Sequence, residues 1–506
     1  MAPSLLMGSI PPVWALLPFL FVLVAAASTA SAPPLRPGGG VQLLGDPTEA
    51  SLDLANWMGQ LEPVIGQANL LDLSLPGAHD AMTADLSTAL SDGYEGMGPF
   101  ISKLLHKVTP EIAGRFIRAQ GQTQGLKLVE MLEAGVRFVD FRIMFTQPPT
   151  SGGHKDWYNL HGCESNHPAL DYLKEAKTWL DAHPKEIVVF WVSRHGNAHL
   201  NGTEQYPNTT PEQRQAFFSA VSEVFSGQMF DTSKGLLNET SIAELWRRNQ
   251  RVIWYTADYA ESTKSSPLAM DGTLVENNLP GSGYELKSSL DFFRSAQSRL
   301  GSAKAKNHFL LASLAASAPE CQLKWAAVIN FVPLAKEMGA LKKCAACFSD
   351  IPDFHSCPMS LQDQGQLTNY YNQLILETVW AEGANNTATD FPNAIYIDGL
   401  DHGGLIRTGP QRLNPAPKVV EGSSSDDPHG TAGYAYAATL IGATVRRLCR
   451  STPSSAGCKS LVGVLNAARL KNPIQLWNDT QSGRHADWPQ VPAPKAAQMS
   501  DLTFLI

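Results

Sequence analysis

Leu70-Leu71-Asp72-Leu73-Ser74-Leu75-Pro76-Gly77-Ala78-His79-Asp80 and Gly135-Val136-Arg137-Phe138-Val139-Asp140-Phe141-Arg142 are the stretches on which the fold turns. In each, a short apolar run ends in residues that carry charge or titrate, as a buried strand does where it meets a loop. Similar runs recur outward along the chain, so that strands are expected at 70–75, 137–143, 186–192, 251–256, 308–314 and 394–397. Amphipathic stretches such as 126–133 and 169–182 lie between them, the second stopped by His183-Pro184, and 433–448 reads as a late helix. Strands alternating with helices imply an α/β fold with a parallel sheet. The chain has 506 residues, which one β/α barrel enlarged by loop insertions accommodates.

An apolar content of 43% against 17% charged residues is that of a chain with a sizeable core, not a disordered one. A net charge of −8 argues against sequence-independent nucleic-acid binding, which needs a cationic face. Residues 14–27 are almost wholly apolar and lead into Ala30-Ser31-Ala32, a small-residue cleavage pattern. Residues 1–32 are therefore expected to be a signal peptide, although no Lys or Arg precedes the apolar run, and an uncleaved anchor is the other reading. The Pro- and Gly-rich stretch within 33–52 reads as a linker, leaving 53–506 as one folded unit. Sequons at Asn201, Asn208, Asn238, Asn385 and Asn478 fit a secreted or lumenal glycoprotein. Cys449 and Cys458 are close enough to pair locally, and Cys321, Cys344, Cys347 and Cys357 are expected to staple an insertion near 321–364. That second group also admits a zinc-site reading, with His355 beside it.

In parallel β/α folds the reactive residues gather at the C-terminal ends of strands. Here those ends carry His79 and Asp80, then Asp140 and Arg142, then His161 shortly after, and Asp398 late in the chain. Two imidazoles, a guanidinium and several carboxylates are what cleavage of a phosphodiester without a metal requires. One imidazole takes a proton from the nucleophilic hydroxyl and the other protonates the leaving oxygen, while the guanidinium meets charge on the phosphoryl group. Each residue also has a plain structural reading: with 13 histidines, a single one is usually a surface group, and Asp140 is open to pairing with Arg137 or Arg142. Cys163, two residues past His161, is read as a buried or disulfide-linked thiol before a nucleophile.

Leu75-Pro76-Gly77-Ala78-His79-Asp80, then Gly135 to Arg142, then Leu160-His161-Gly162 resemble, in order and spacing, the X-domain of phosphatidylinositol-specific phospholipases C. Gln124 and the run 173–192 extend the likeness, which is clear over 70–196 and thin beyond, where 394–398 alone is similar. The resemblance implies a distorted TIM-type barrel in which His79 is the general base supported by Asp398, and His161 the general acid supported by Asp80. It also implies that Arg142 stands where the animal signalling enzymes place a carboxylate ligand for calcium, so that no metal or other cofactor is expected. Asp140 and Arg194 are the expected substrate contacts.

The implied substrate is an inositol phospholipid or related phosphodiester met at a membrane surface, with Trp57, Trp157 and Tyr158 as candidate membrane-facing aromatics and no nucleic-acid partner. Two other readings stand beside it. One is a metal-dependent glycerophosphodiester phosphodiesterase or sphingomyelinase-like enzyme; the other is a catalytically inactive barrel that binds lipid or glycan. Asp-x-Arg in place of Glu-x-Asp at the second strand end weighs against the first, and the presence of both histidines against the second.

Overall fold

The computed structural model describes residues 52–90, 110–146, 155–195, 209–256, 266–278, 292–315, 390–400 and 430–451, with positions 372, 376, 379 and 458. The chain divides into Met1–Gln42 and Leu43–Ile506, and every described residue belongs to the second unit. The expected leader at 1–32, nearly all of the linker at 33–52 and the insertion at 321–364 lie outside the described residues.

Eleven strands form one sheet: β1 Leu75–Ala78, β2 Leu86–Leu90, β3 Phe138–Thr146, β4 Asp156–His161, β5 Cys163–Pro168, β6 Val188–His195, β7 Val252–Thr256, β8 Met270–Asp271, β9 Val275–Asn278, β10 Phe309–Ser313 and β11 Ala394–Ile397. Eight of them run parallel in the order β8-β7-β6-β3-β1-β11-β10-β9. The two ends of that path, β8 and β9, are consecutive in the chain and joined by the short turn Gly272–Leu274. One segment thus borders β7 at its start and β10 at its end, and the ring closes through covalent chain. This is the expected β/α barrel, distorted at that closure.

Period-two alternation divides each strand between two apolar layers. Val139, Phe141, Val188, Phe190, Val192, Val252, Trp254, Leu310, Ala312, Ile395 and Ile397 face outward beneath the helices. Their neighbours Phe138, Val189, Trp191, Ile253, Tyr255, Phe309, Leu311, Ala394 and Tyr396 fill the interior. The helix Ala169–Ala182 shows why the outer layer forms: Tyr172, Leu173, Ala176, Trp179 and Leu180 recur at helical spacing and are buried, and the chain leaves the helix at His183, before Pro184. The final helix Gly430–Ser451 locks the first and last strands together, since the Tyr436 hydroxyl donates to Ile395 O (2.6 Å) and accepts from Gly77 N (3.2 Å).

The first strand departs from expectation. Leu70–Asp72 is a single 3-10 turn, and pairing begins only at Leu75, whose N–H donates to Asn393 O at 2.7 Å. Leu70, Leu71 and Leu73 pack with the interior cluster instead of lying in the sheet. Pro76 is tolerated because its carbonyl serves the ladder, accepting from Arg137 N at 2.8 Å. A Cβ at Gly77 would sit 2.6 Å from Ile395 O, so only glycine permits this strand contact. The three aromatics expected at a membrane surface are also corrected: Trp57, Trp157 and Tyr158 are 0%, 4% and 4% exposed. Trp57 donates to Gly135 O at 3.2 Å, and Trp157 packs against Phe145 and Phe217.

Arg137 does not pair with Asp140. Its guanidinium is fully buried and donates to Glu186 (Nε 2.8 Å, the other ion-pair contact 2.7 Å) and to the carbonyls of Leu132, Val136, Leu54 and Ala55. Glu186 in turn accepts from Gly59 N at 3.1 Å, tying the segment that precedes β1 to the barrel. Glu186→Gln leaves the guanidinium buried without its counter-charge. It is expected to lower unfolding free energy by about 3 kcal/mol in urea titration, the scale for breaking a buried pair; a loss under about 1 kcal/mol would show that water reaches the pair.

Cys449 and Cys458 form the expected local disulfide. Among the described sequons, Asn238 is engaged in the fold, with its Nδ2 donating to Lys304 O at 2.9 Å, and Thr240 is buried. A glycan there would displace that bond. No described helix is long and apolar enough to cross a membrane.

Candidate functional site

The C-terminal ends of β1, β3 and β11 are adjacent, because β1 lies between the other two in the ring. His79 and Asp80 leave β1, Asp140 and Arg142 lie on β3, and Asp398 follows β11. Barrel order therefore gathers residues far apart in sequence. His161 arrives differently: β3 runs on past the barrel and β4 folds back antiparallel along it, with Asn159 opposite Ile143, so the end of β4 returns to the same mouth. Asp80 adopts a left-handed backbone (φ 43°), a conformation that Asp tolerates better than most residues.

His79 Nδ1 lies 2.7 Å from Asp398 Oδ1, and Arg142 donates to His79 Nε2 at 2.8 Å. Arg142 also forms an ion pair with Asp80 through Nε and with Asp140 Oδ2 at 3.1 Å. Asp140 accepts from the Asp80 N–H at 3.1 Å and from the Ser193 hydroxyl. Ser193 is the extra residue where the β3–β6 register shifts, a bulge that turns its hydroxyl to the site. His161 Nδ1 donates to Gly121 O at 2.7 Å, with Asp80 Oδ2 farther off at 3.4 Å. The carboxylate expected to support His161 thus serves Arg142 first. Tyr396 stacks against His79, ring centroids 4.9 Å apart. Arg194 lies on β6 with its Cα opposite that of Arg142.

Burial opposes charge on His79, but Asp80 and Asp398 outweigh it and push its pKa above the ordinary 6.5. On His161 burial wins, aided by Arg142 and against Asp80, so its pKa falls below 6.5. Burial likewise raises the Asp398 carboxyl, against the pull of His79. Burial disfavours charge on Arg142, yet Asp140 and Asp80 hold it firmly cationic. The carboxylates favour an imidazolium at His79, whereas the Arg142 N–H needs a lone pair on Nε2. This arrangement is that of the neutral ring with its proton on Nδ1, and protonating Nε2, which the raised pKa favours, requires Arg142 to move.

His79, Asp80 and Asp140 offer ligand atoms within 4.8 Å of one another, a donor set able to hold a cation. The Arg142 guanidinium is bonded to all three residues, so it already supplies the positive charge at that point. Cys163 is buried, its thiol 3.7 Å from Gly114 O and its pKa pushed up to about 12 chiefly by burial, which excludes a ready nucleophile.

Among the described residues, the mouth also contains groups to which sequence reasoning gave no role. Gln124 Nε2 donates to His79 O (2.9 Å) and Ile397 O (2.7 Å), and its Oε1 accepts from Leu400 N (3.2 Å). Thr123 O accepts from Gly399 N at 2.8 Å. Neither Gln124, Thr123, Ser193 nor Tyr396 is charged at neutral pH, so charge at strand ends, the signal that found the others, passes over them.

No family profile matches the chain. PI-PLC X domain-containing protein 1 of Mus musculus is 26% identical over 216 residues, covering 43% of this chain and 57% of that protein. The Homo sapiens protein 1 is 26% identical over 198 residues (39% and 55%), and human PI-PLC X domain-containing protein 2 is 27% identical over 145 residues (28% and 45%). The chain thus spans about half the length of the curated relatives it matches. Among solved structures, a phosphatidylinositol-specific phospholipase C from Listeria monocytogenes aligns over 69% of this chain and 94% of its own at 14% identity, with a TM-score of 0.40. One from S. aureus aligns over 71% and 95%, also at 14% identity and a TM-score of 0.40. The sequence relationships agree with the motifs at the strand ends: over 28–43% of its length the chain is similar to PI-PLC X domain-containing proteins.

Proposed function

We propose that the chain is a phosphoric diester hydrolase or lyase of the phospholipase C type, cleaving phosphatidylinositol or a related inositol phosphodiester by acid-base catalysis without a metal ion. The first step gives a cyclic inositol phosphate and the free lipid alcohol. The arrangement around Arg142 carries this reading: one part-buried guanidinium bonded to the Nε2 of a His–Asp pair, with a second histidine across the Asp80 carboxylate. Arg142 holds the place of a phosphate's positive partner until substrate arrives. When it turns to a non-bridging oxygen, the His79 Nε2 lone pair is released to take the proton of an inositol hydroxyl. That oxygen attacks phosphorus, the bond from phosphorus to the lipid oxygen breaks, and protonated His161 supplies the proton that the leaving oxygen needs. Asp398 stabilises the imidazolium that forms on His79. Asp80 and Asp140 fix Arg142, and Arg194, beside it in the ladder, is assigned to the substrate phosphate. The lipid is met at a membrane surface in passing, and the local disulfide supports an oxidising, secretory setting.

Turnover requires one imidazole neutral and the other protonated. With His161 titrating below 6.5 and His79 above it, the pair carries one proton between those values, mostly on His79, and turnover draws on the minor form in which that proton sits on His161 and His79 is neutral. A plot of kcat/KM against pH is therefore expected to be a bell straddling 6.5, falling on the acid side as both rings become charged and on the alkaline side as both become neutral. Phosphatidylinositol in mixed micelles is a suitable substrate, and a flat profile would remove the histidine pair from the mechanism. Binding of such micelles with no turnover at any pH would favour the inactive lipid-binding barrel.

A further inference from the structure

The four residues 121–124 bond to His161, to the main chain of His79 and Asp80, and to the residues on either side of Asp398. The Gly121 carbonyl takes the His161 Nδ1 proton at 2.7 Å, in a contact so close that a Cβ on Gly121 would lie 2.0 Å from His161 O. Thr123 accepts from Gly399 N at 2.8 Å, and its hydroxyl bonds that of Thr83 at 2.7 Å. Gln124 is wholly buried and uses its amide three times. Two main-chain carbonyls, those of His79 and Ile397, face one end of that amide and one N–H, that of Leu400, faces the other. The chemistry of the partners fixes the amide's orientation, because a flipped oxygen would oppose both carbonyls. Those carbonyls belong to His79 itself and to the residue before Asp398, the two members of the 2.7 Å pair.

We propose that Gln124 is a positioning residue whose side-chain amide clamps the ends of the first and last barrel strands, setting the His79–Asp398 separation, while the same segment seats His161 through Gly121. The inference rests on the acid-base reading of this site and adds how its geometry is maintained. At the diverging strand ends the ladder is long, with His79 N donating to Ile397 O at 3.2 Å and the Thr123 hydroxyl to His79 O at 3.3 Å, so each carbonyl has room for a second, closer donor. Gln124 supplies two, and it does so from the segment that also fixes the second histidine. Relative motion of the two histidines is thereby restricted without any group of Gln124 reaching the reacting atoms.

The test uses the full chain with Gln124→Met, which keeps length and apolar volume but removes both donors and the acceptor, and Gln124→Glu, which restores one donor only when its carboxyl is protonated. The readout is the downfield proton resonance of the His79 Nδ1–H in its bond to Asp398, identified by its loss in Asp398→Asn. The expected result is loss or broadening of that resonance in Gln124→Met, with kcat on phosphatidylinositol lowered by about tenfold to a hundredfold and KM near the parental value, the scale of a misplacement near 1 Å. Gln124→Glu should retain more activity at low pH and lose it as pH rises. A folded Gln124→Met with the resonance sharp and kcat unchanged overturns the proposal. Should Gln124→Met not fold, a Gln124→Glu deficit that does not vary with pH beyond the parental profile overturns it equally. If the parental chain shows the resonance but no turnover of phosphatidylinositol, and Gln124→Met loses the resonance, the clamp stands and the proposed activity fails.

Discussion

Replacing His79 or His161 by Ala is expected to lower kcat/KM on phosphatidylinositol by about a hundredfold to ten-thousandfold, or roughly 3–5 kcal/mol of barrier, the range for removing a general acid or base. His79→Ala should lie at the larger end. It leaves Asp398 buried at 3% exposure without its imidazole partner and frees Arg142 from a bond that orients it. Both variants should remain folded, since the His79 and His161 side chains are 14% and 24% exposed and are not part of either apolar layer. The double variant should be little worse than His79→Ala alone, because the two act in one proton transfer sequence. Near-parental activity in a folded His161→Ala would remove it as the acid and leave the leaving group to solvent.

The second large effect concerns Arg142. Arg142→Lys keeps a charge but not a fork that spans Asp80, Asp140 and His79 at once, so a loss of about a hundredfold or more is expected, with Arg142→Ala lower still. Removing this cation also leaves Asp80 and Asp140, both almost wholly buried, without their main counter-charge. Parental activity should survive exhaustive dialysis against chelator, because the donor set of His79, Asp80 and Asp140 is already bonded to Arg142 and a divalent ion there would face that charge. In Arg142→Ala the same donors are released, and that variant is where a divalent ion would bind if it binds anywhere at this site. Parental activity abolished by chelator and restored by calcium or magnesium would make Arg142 structural and establish the metal-dependent reading.

The residues that carry charge were legible in sequence because strand ends expose them in a fixed order: His79 and Asp80, Asp140 and Arg142, His161, then Asp398. The structure brings these six together. The support of His161 was read less well, since a carbonyl, Gly121 O, is a closer partner than Asp80, and a main-chain acceptor has no signature in a residue string. The first strand was placed five residues early because Leu70, Leu71 and Leu73 look more strand-like than Pro76-Gly77. Tertiary pairing overrode propensity there: Ile395 and Tyr396 require a glycine opposite them, and the leucines serve the interior as a turn. The antiparallel strands β4 and β5 were missed since Asp156–His161 and Cys163–Pro168 are short and largely polar. The aromatics at 57, 157 and 158 were misplaced for the opposite reason, their chemistry suiting a membrane surface and a core equally.

The pairing of β1 with β11 sets a timetable for biosynthesis. His79 and Asp398 are 319 residues apart, and at ribosomal rates of roughly 5–20 residues per second the dyad's second half is made some 15–60 s after the first. Throughout that interval β1 has β3 on one side and an open hydrogen-bonding edge on the other. The helix whose Tyr436 fastens Gly77 to Ile395 emerges later still. The nascent barrel is thus a curved open sheet with its mouth half built, and truncated chains ending before β11 are expected to be sticky as well as inactive.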